Sequence, residues 1–403
     1  MMKSRKMRLA VSLALTATLA AGLLTGSANA DPAQYSAVVG TGSDTTQDIM
    51  NALAGNSRGI PYIPVNSGAA TSFKQLISFD AAVPAGLGDT CVTTKLGGPT
   101  FTRPNGSTGG RKSLFAASGL SAVGWTGVAI GVLPTCATAV DISGQVDFAR
   151  SSAGPAAGDI GTDMTYIPFG RDGMSFGYYR PAGSPVTSLT RAQLTSLFTT
   201  GPQTIGGVRI VPCGIQTSSG TFAFWNTVTT ATTAQENTAT TLCNGLLPAG
   251  RSQESDGAGL KARGDALVLL PGETASQVVI GFSAGSFTAV GNGVAPGSNA
   301  GIALGAISDN GSGVNLGVPV TGTAPNLVPS ATFFNDSVFG RNIYNVLPTT
   351  VATGPGNAAI KALFVGPTSA ICSATNTIQT FGFLANASCG STTLKGSWIT
   401  GAS

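Results

Sequence analysis

The 403-residue chain contains no histidine, and only 9% of its residues are charged. Without histidine, a serine nucleophile lacks the general base of its usual catalytic triad. A zinc site of mixed cysteine and histidine ligands is equally excluded, and no C-x-x-C spacing occurs among the six cysteines. These absences predict a protein that is not an enzyme and that carries neither a metal ion nor another cofactor.

One hydrolase-like motif is nevertheless present. Residues 281–285 read G-x-S-x-G after an apolar segment, which is the sequence pattern of a nucleophile elbow. Because no histidine is available to activate Ser283, we interpret the motif as a turn of small residues after a buried strand.

The chain also lacks a run of basic residues beyond residue 30. Four of the 21 Lys and Arg residues lie before that point, which leaves 17 basic residues against 17 acidic residues in the rest of the chain. A nucleic-acid-binding protein is expected to carry a basic face. The neutral charge of the remaining chain therefore predicts that nucleic acid is not a partner.

The first 30 residues have the three parts of a secretory signal peptide. A basic stretch and an apolar stretch precede Ala28-Asn29-Ala30, an A-x-A cleavage site. The apolar stretch is short for a membrane span of about 20 residues, and Ser27 stands where a lipoprotein box requires cysteine. We predict cleavage before Asp31 and a secreted protein, extracellular or cell-wall associated, without a membrane anchor. A retained N-terminal anchor is the alternative.

All six cysteines follow the predicted cleavage site. An even number of cysteines in an exported chain favours disulfides, although the sequence leaves their connectivity open. We predict pairing between nearest neighbours, because each disulfide then closes a local loop. The predicted disulfides are Cys91–Cys136, Cys213–Cys243 and Cys372–Cys389.

Strand-like apolar segments alternate with helical patterns along the chain, which is typical of an α/β protein. Thr190 and Gln193 have the spacing of a helix capping box. Small Gly, Ser and Thr residues recur at four predicted helix starts, in segments 40–46, 106–110, 150–152 and 217–221. A helix N-terminus exposes N–H groups and a partial positive charge that suit an oxyanion. Plain helix capping is the alternative, since Ser, Thr and Asp are favoured N-cap residues.

The order and spacing of seven segments resemble the phosphate-binding branch of the ABC-transporter substrate-binding proteins. These segments are 40–45, 106–112, 146–152, 166–169, 189–201, 217–221 and 341–344. The resemblance implies a two-lobed, periplasmic-binding-protein-like α/β fold of type II. Each lobe would be a mixed sheet flanked by helices, and the ligand cleft would lie between the lobes. Lobe I would comprise residues 31–168 and 336–403, and lobe II residues 169–335. Segments 166–169 and 341–344 would cross between the lobes and act as hinges.

The resemblance also implies a set of ligand-binding residues from the small-residue segments. They are Ser43, Asp44, Thr45, Ser107, Thr108, Gly109, Arg150, Ser151, Ser152, Ser219, Gly220 and Thr221. Two positions depart from the family: Ser152 replaces a ligand-binding Asp, and Ile215 replaces a ligand-binding Arg. Either Arg150 or Arg111 could supply the missing guanidinium. Asp44 would accept a proton from a phosphate-like ligand, or would only cap its helix.

We therefore predict a monomeric solute-binding protein that captures a small polar ligand, such as a phosphate-like oxyanion, in an interlobe cleft. An ABC permease is the implied partner. The alternative is a secreted surface or matrix protein that keeps the binding-protein fold without a transport role. The absence of a lipid anchor and the two changed ligand positions point to that alternative.

Overall fold

The computed structural model describes residues 38–55, 76–82, 91–120, 124–127, 136, 139–155, 161–299 and 301–397. The predicted signal peptide lies outside these ranges, and so do residues 60–65, whose apolar sequence predicts a strand. Within the ranges, every helix is too short or too polar to cross a bilayer.

The strands of the described residues are mostly short, with two long exceptions. In chain order they are β1 (Val38–Gly42), β2 (Leu76–Ser78), β3 (Cys91–Val92), β4 (Phe101–Thr102), β5 (Phe148–Ser151), β6 (Met164–Tyr179), β7 (Ser188–Thr190), β8 (Gln203–Ile205), β9 (Val208–Pro212), β10 (Gln277–Ser283), β11 (Ala303–Leu304), β12 (Ala306–Asp309), β13 (Val320–Thr321), β14 (Val328–Pro329), β15 (Gly340–Pro348), β16 (Leu384–Ala385) and β17 (Lys395–Gly396).

The helices are also short, with none longer than 12 residues in the described ranges. They are α1 (Gln47–Leu53), α2 (Gly106–Ala117), α3 (Arg191–Thr200), α4 (Gly220–Thr229), α5 (Thr233–Ala239), α6 (Thr241–Asn244), α7 (Gly257–Leu267), α8 (Ala284–Gly291), α9 (Ala331–Phe334), α10 (Thr349–Thr353), α11 (Ala358–Phe364), α12 (Ala370–Ser373) and α13 (Thr375–Thr380). The predicted capping box is confirmed at α3, where Thr190 and Gln193 cap the helix reciprocally.

One mixed sheet of 11 strands organises the molecule, with the main path β2-β1-β5-β15-β6-β10-β9-β8. β1 runs parallel to β2 and β5, and β10 runs parallel to β9. The central pair, β6 and β15, is antiparallel. Helices α2, α4 and α7 pack on strands of this sheet. A mixed sheet with flanking helices confirms the predicted α/β fold class.

The apolar core divides into groups that follow the chain. The largest group draws its buried residues from Met174 to Phe339. The other two draw theirs from residues up to Phe169 and from Ile343 onwards, apart from Ala289. This division parallels the lobes expected from the sequence, whose boundaries stay a prediction.

Strand β6 links the two parts of the sheet. Its residues 164–173 pair with β15, and its residues 174–179 pair with β10. Both predicted crossings therefore lie on long strands that pair with each other. The register shifts between Ile343 and Tyr344, where Phe169 has no paired residue opposite. Such a bulge bends a strand locally, although hinge motion at this point stays a prediction.

The predicted disulfide connectivity is confirmed at all three pairs. The Cα–Cα distances are 5.7 Å for Cys91–Cys136, 5.0 Å for Cys213–Cys243 and 5.7 Å for Cys372–Cys389. Both sulfur-bearing side chains of Cys213–Cys243 lie within the largest core group, fully buried. A disulfide typically stabilises a fold by about 2–4 kcal/mol.

Candidate functional site

Three of the predicted small-residue segments meet because of the strand order. β1 and β5 are parallel neighbours, so the residues that follow them emerge at the same edge of the sheet. The hydroxyl oxygens of Ser43, after β1, and Ser152, after β5, lie 3.1 Å apart, within hydrogen-bond distance. The hydroxyl of Ser107, in the first turn of α2, accepts the backbone N–H of Ser152 at 3.0 Å.

The start of α4 packs tightly against these serines. A Cβ atom at Gly220 would lie 2.3 Å from the Ser107 Oγ and 2.6 Å from the Ser152 Oγ. No side chain fits at that distance, so the glycine allows the fourth segment to approach. Ser219 is the N-cap of α4, and its hydroxyl accepts the N–H of Thr221 at 2.9 Å.

The carboxylate of Glu254 lies at the centre of the cluster. Its Oε1 accepts the N–H of Thr45 at 3.0 Å and the hydroxyl of Ser43 at 3.1 Å. Its Oε2 accepts the hydroxyl of Ser219 and the N–H of Thr221, the latter at 3.4 Å. Glu254 is only 4% exposed. The predicted donors thus already hold an anion, which the chain itself supplies.

Glu254 is charged in this environment. Burial by itself would raise the pKa of Glu254. Hydrogen bonds from Ser219 and Thr221, the positive charge of Arg341 and the N–H of Thr45 outweigh burial and hold the pKa below its usual value. The cluster is therefore built to stabilise a negative charge.

Arg341 supplies a guanidinium to the same cluster. Its Nη2 donates to the hydroxyl of Thr221 at 3.1 Å and to that of Thr45 at 3.4 Å. The side chain is 2% exposed and forms a salt bridge of 2.8 Å with Asp172. Its Nη1 is buried and has no acceptor among the described residues. A buried cation with a spare donor therefore borders the carboxylate.

Asp172 holds this arginine in place. Its Oδ2 accepts from Arg341, while its Oδ1 accepts the Ser283 hydroxyl and the Gly285 N–H, each at 3.0 Å. Ser283 caps α8 by accepting the N–H of Ser286. The G-x-S-x-G motif therefore forms a strand-to-helix turn, as interpreted from the sequence, and anchors the Asp172–Arg341 pair.

Arg150, predicted as a ligand residue, donates hydrogen bonds to residues at the ends of β1 and β2. It is fully buried, and burial lowers its pKa to about 10, so it stays charged at neutral pH. Its Nε and Nη2 donate to the carbonyls of Ser43 and Gly42, each at 3.1 Å. Its Nη1 donates to the Ser78 hydroxyl and the Phe79 carbonyl, each at 2.6 Å. Arg150 thus braces the strand ends, and ligand contact by Arg150 stays an untested prediction.

Four of the twelve predicted ligand residues, Ser43, Thr45, Ser219 and Thr221, donate to the Glu254 carboxylate, and Thr108, Gly109 and Ser151 are among those that do not. The Ser151 hydroxyl donates to the Ala153 carbonyl at 2.6 Å. Thr108 accepts from Arg111 at 3.4 Å and donates its N–H to the Ser218 carbonyl at 3.0 Å. These contacts hold the start of α2 against the start of α4.

Asp44 lies beside the cluster in an unfavourable setting. Its Oδ1 is buried and meets no donor among the described residues. Burial raises the pKa of Asp44 well above its usual value, and the charge of Glu254 raises it further. The capping alternative is wrong, because Thr46 is the N-cap of α1 and no side chain caps that helix. Acceptance of a ligand proton by Asp44 stays a proposal.

Glu254, the central residue, was not predicted from the sequence, and Arg341 was predicted only as part of a crossing segment. One signal for Glu254 was available. The chain contains only three glutamates, Glu236, Glu254 and Glu273, and all three are buried. In a chain with so few charged residues, the small number of glutamates makes each of them a candidate for a specific role. The number alone does not reveal which segment each glutamate contacts.

Fold and cluster together define a mixed α/β protein with an internal anion site. No protein-family model matches the chain, and no curated protein does. Solved structures that it resembles include an ABC-type phosphate transport receptor from Vibrio cholerae, at 13% identity and a TM-score of 0.45, covering 87% of this chain and 100% of that one.

Two further solved structures resemble this chain with comparable identities and TM-scores. A putative phosphate ABC transporter substrate-binding protein from Clostridium perfringens has 13% identity and a TM-score of 0.43, with 87% of this chain and 99% of that one covered. A phosphate binding protein from Stenotrophomonas maltophilia has 13% identity and a TM-score of 0.40, with 88% and 91% covered. All three of these solved structures are described as phosphate-binding or phosphate-transport proteins. Likeness of this degree assigns this chain neither a ligand nor a transport partner.

Proposed function

We propose that the chain is an exported, non-enzymatic solute-binding protein that takes a small phosphate-like oxyanion at the Glu254 cluster. One observation supports this most directly: donors from separate segments converge on the two oxygens of an anion. These donors are Ser43, Thr45, Ser219 and Thr221. An oxyanion presents acceptors of the same kind to backbone N–H groups and hydroxyls.

The charge balance of the cluster supports the same proposal. Arg341 is buried beside the donors and keeps Nη1 without an acceptor among the described residues. Two carboxylates share the charge of Arg341: Asp172 forms a salt bridge with it, and the same charge lowers the pKa of Glu254. An anion that replaces the Glu254 carboxylate would meet a guanidinium suited to bidentate contact.

The proposal includes the predictions on export, oligomeric state, lobes and partner that were made from the sequence. The protein would be secreted, monomeric and built of two lobes, residues 31–168 with 336–403 and residues 169–335. An ABC permease would receive the solute. The separate core groups and the shared strands β6 and β15 support the two-lobed arrangement.

Calorimetry with phosphate and with sulfate tests this proposal. We expect Ser219→Ala to weaken phosphate binding about tenfold, since a hydrogen bond to a charged group typically contributes about 1.5–3 kcal/mol. Ser330→Ala is the matched control, because Ser330 also caps a helix, α9, without contacting the cluster. If neither anion binds the wild-type protein or a variant without the Glu254 carboxylate, the oxyanion function is wrong, and a surface or matrix role becomes the better account.

A further inference from the structure

Glu254 lies more than 200 residues after two of its partners, Ser43 and Thr45, in the sequence. Ser252 pairs with the backbone of the segment after β9, accepting from Gln216 and donating to Gly214 at 2.8 Å each. Arg251 donates to the Ile215 carbonyl at 2.5 Å and forms an ion pair with Glu236. The turn that carries Glu254 is therefore fixed to the part of the molecule that contains α4.

The Glu254 carboxylate also contacts residues outside the part of the molecule that contains α4. Its Oε2 stays with Ser219 and Thr221 at the start of α4, whereas its Oε1 binds Ser43 and Thr45 after β1. β1 belongs to core groups that are separate from the one around α4. One side chain thus bridges the two parts of the molecule through both of its oxygens.

An external anion would need the same donors. The backbone N–H of Thr45 carries a single hydrogen, which it donates to Glu254, and the single hydrogen of the Thr221 N–H is shared between the Ser219 hydroxyl at 2.9 Å and Glu254 at 3.4 Å. Two anions in one buried site would also repel each other strongly. An oxyanion and the Glu254 carboxylate therefore exclude each other.

We infer that Glu254 is an internal ligand of this site: it bridges the two parts in the absence of solute, and an oxyanion must displace it to bind. This inference rests on the proposed function, since displacement requires an oxyanion that uses the same donors. A tethered group acts at a high effective concentration. The apparent affinity for the external ligand is the intrinsic affinity multiplied by the fraction of molecules in which the tethered group has left the site.

Glu254→Ala separates the internal ligand from the rest of the site. We expect E254A to bind phosphate at least about tenfold more tightly than wild type in calorimetry. We also expect a larger radius of gyration for E254A in small-angle scattering without anion, because the carboxylate bridge is gone and only weaker contacts between the parts remain, such as the bond from the Thr108 N–H to the Ser218 carbonyl. Glu273→Ala is the matched control, since Glu273 is also buried and its ion pair with Arg209, at 2.7 Å, lies away from the cluster.

The outcomes distinguish the inference from the proposed function. Equal or weaker phosphate binding by folded E254A overturns displacement while leaving oxyanion binding intact. An unchanged radius of gyration overturns the bridging role. If neither protein binds phosphate, the proposed function fails and displacement fails with it, but the radius of gyration still decides bridging. Should E254A not fold, Glu254→Gln removes the charge at nearly constant volume and is measured in the same two ways.

Discussion

The Nη2 atom of Arg341 lies 3.1 Å from the hydroxyl oxygen of Thr221 and 2.8 Å from the Asp172 carboxylate. One guanidinium nitrogen thus joins the buried salt bridge to the donor cluster. The position of the cation depends on its carboxylate partner, because no other described residue forms a salt bridge with Arg341.

Asp172→Asn is therefore expected to destabilise the fold by about 3 kcal/mol, since breaking a buried pair leaves an uncompensated charge. Urea denaturation measures the free energy of unfolding. Asp265→Asn is the control, because its pair with Lys261 is solvent-exposed and contributes little. A loss for Asp172→Asn no larger than that of the control would contradict a structural role for the buried pair.

Asp44→Asn is expected to stabilise the protein increasingly as pH rises. Burial raises the pKa of Asp44 in the folded state, so the folded protein binds the proton more tightly than the unfolded chain. Stability contributed by that proton is present below the unfolded pKa, about 3.9, and is lost as pH rises towards the folded pKa. Melting temperatures of both proteins between about pH 4 and pH 8 check this sign; a difference that shrinks with rising pH would refute it.

Gly220→Ala is expected to destabilise the protein by about 1–3 kcal/mol through overpacking, because the new Cβ would lie 2.3 Å from the Ser107 Oγ. It should also push the donors at the start of α4 away from Ser43 and Thr45. Gly245→Ala is the matched control, since its nearest neighbour would be 3.4 Å away. Equal melting temperatures for the two variants would show that the close approach at Gly220 is unimportant.

The three disulfides are expected to differ in their resistance to reduction of the folded protein. Cys213 and Cys243 are fully buried, whereas Cys372 and Cys389 are partly exposed. A mild thiol should therefore reduce Cys372–Cys389 before Cys213–Cys243, which it should reach only when the protein opens. Alkylation time courses read by mass spectrometry measure the order. Simultaneous reduction of both pairs in protein that stays folded would contradict the buried position of Cys213–Cys243.

Local patterns predicted what depends on local chemistry. The α/β class, the Thr190 capping box and the nearest-neighbour disulfides all follow from short stretches of sequence, and the structure confirms them. Ser43, Thr45, Ser219 and Thr221 were also predicted as anion donors, and they do hold a carboxylate.

Contacts between distant segments escaped prediction for a physical reason. The role of Glu254 depends on a turn fixed by Arg251 and on donors more than 200 residues earlier in the chain. Arg150 was predicted at the ligand because arginine suits oxyanions; it donates to carbonyls at the ends of neighbouring strands, and its contact with a ligand stays a prediction. Side-chain chemistry shows what a residue can bind, while topology decides which partner it meets.

Strand β6 is a continuous ribbon of 16 residues that is hydrogen-bonded into both parts of the molecule. A movement between these parts would have to bend that ribbon together with β15, its antiparallel neighbour. Such a connection would resist bending, unlike a flexible linker. Bending the paired strands would raise their energy, and the strands would return to their original angle once the bending force is removed. The stiffness of the paired strands would then set how far the parts can swing for a given binding energy.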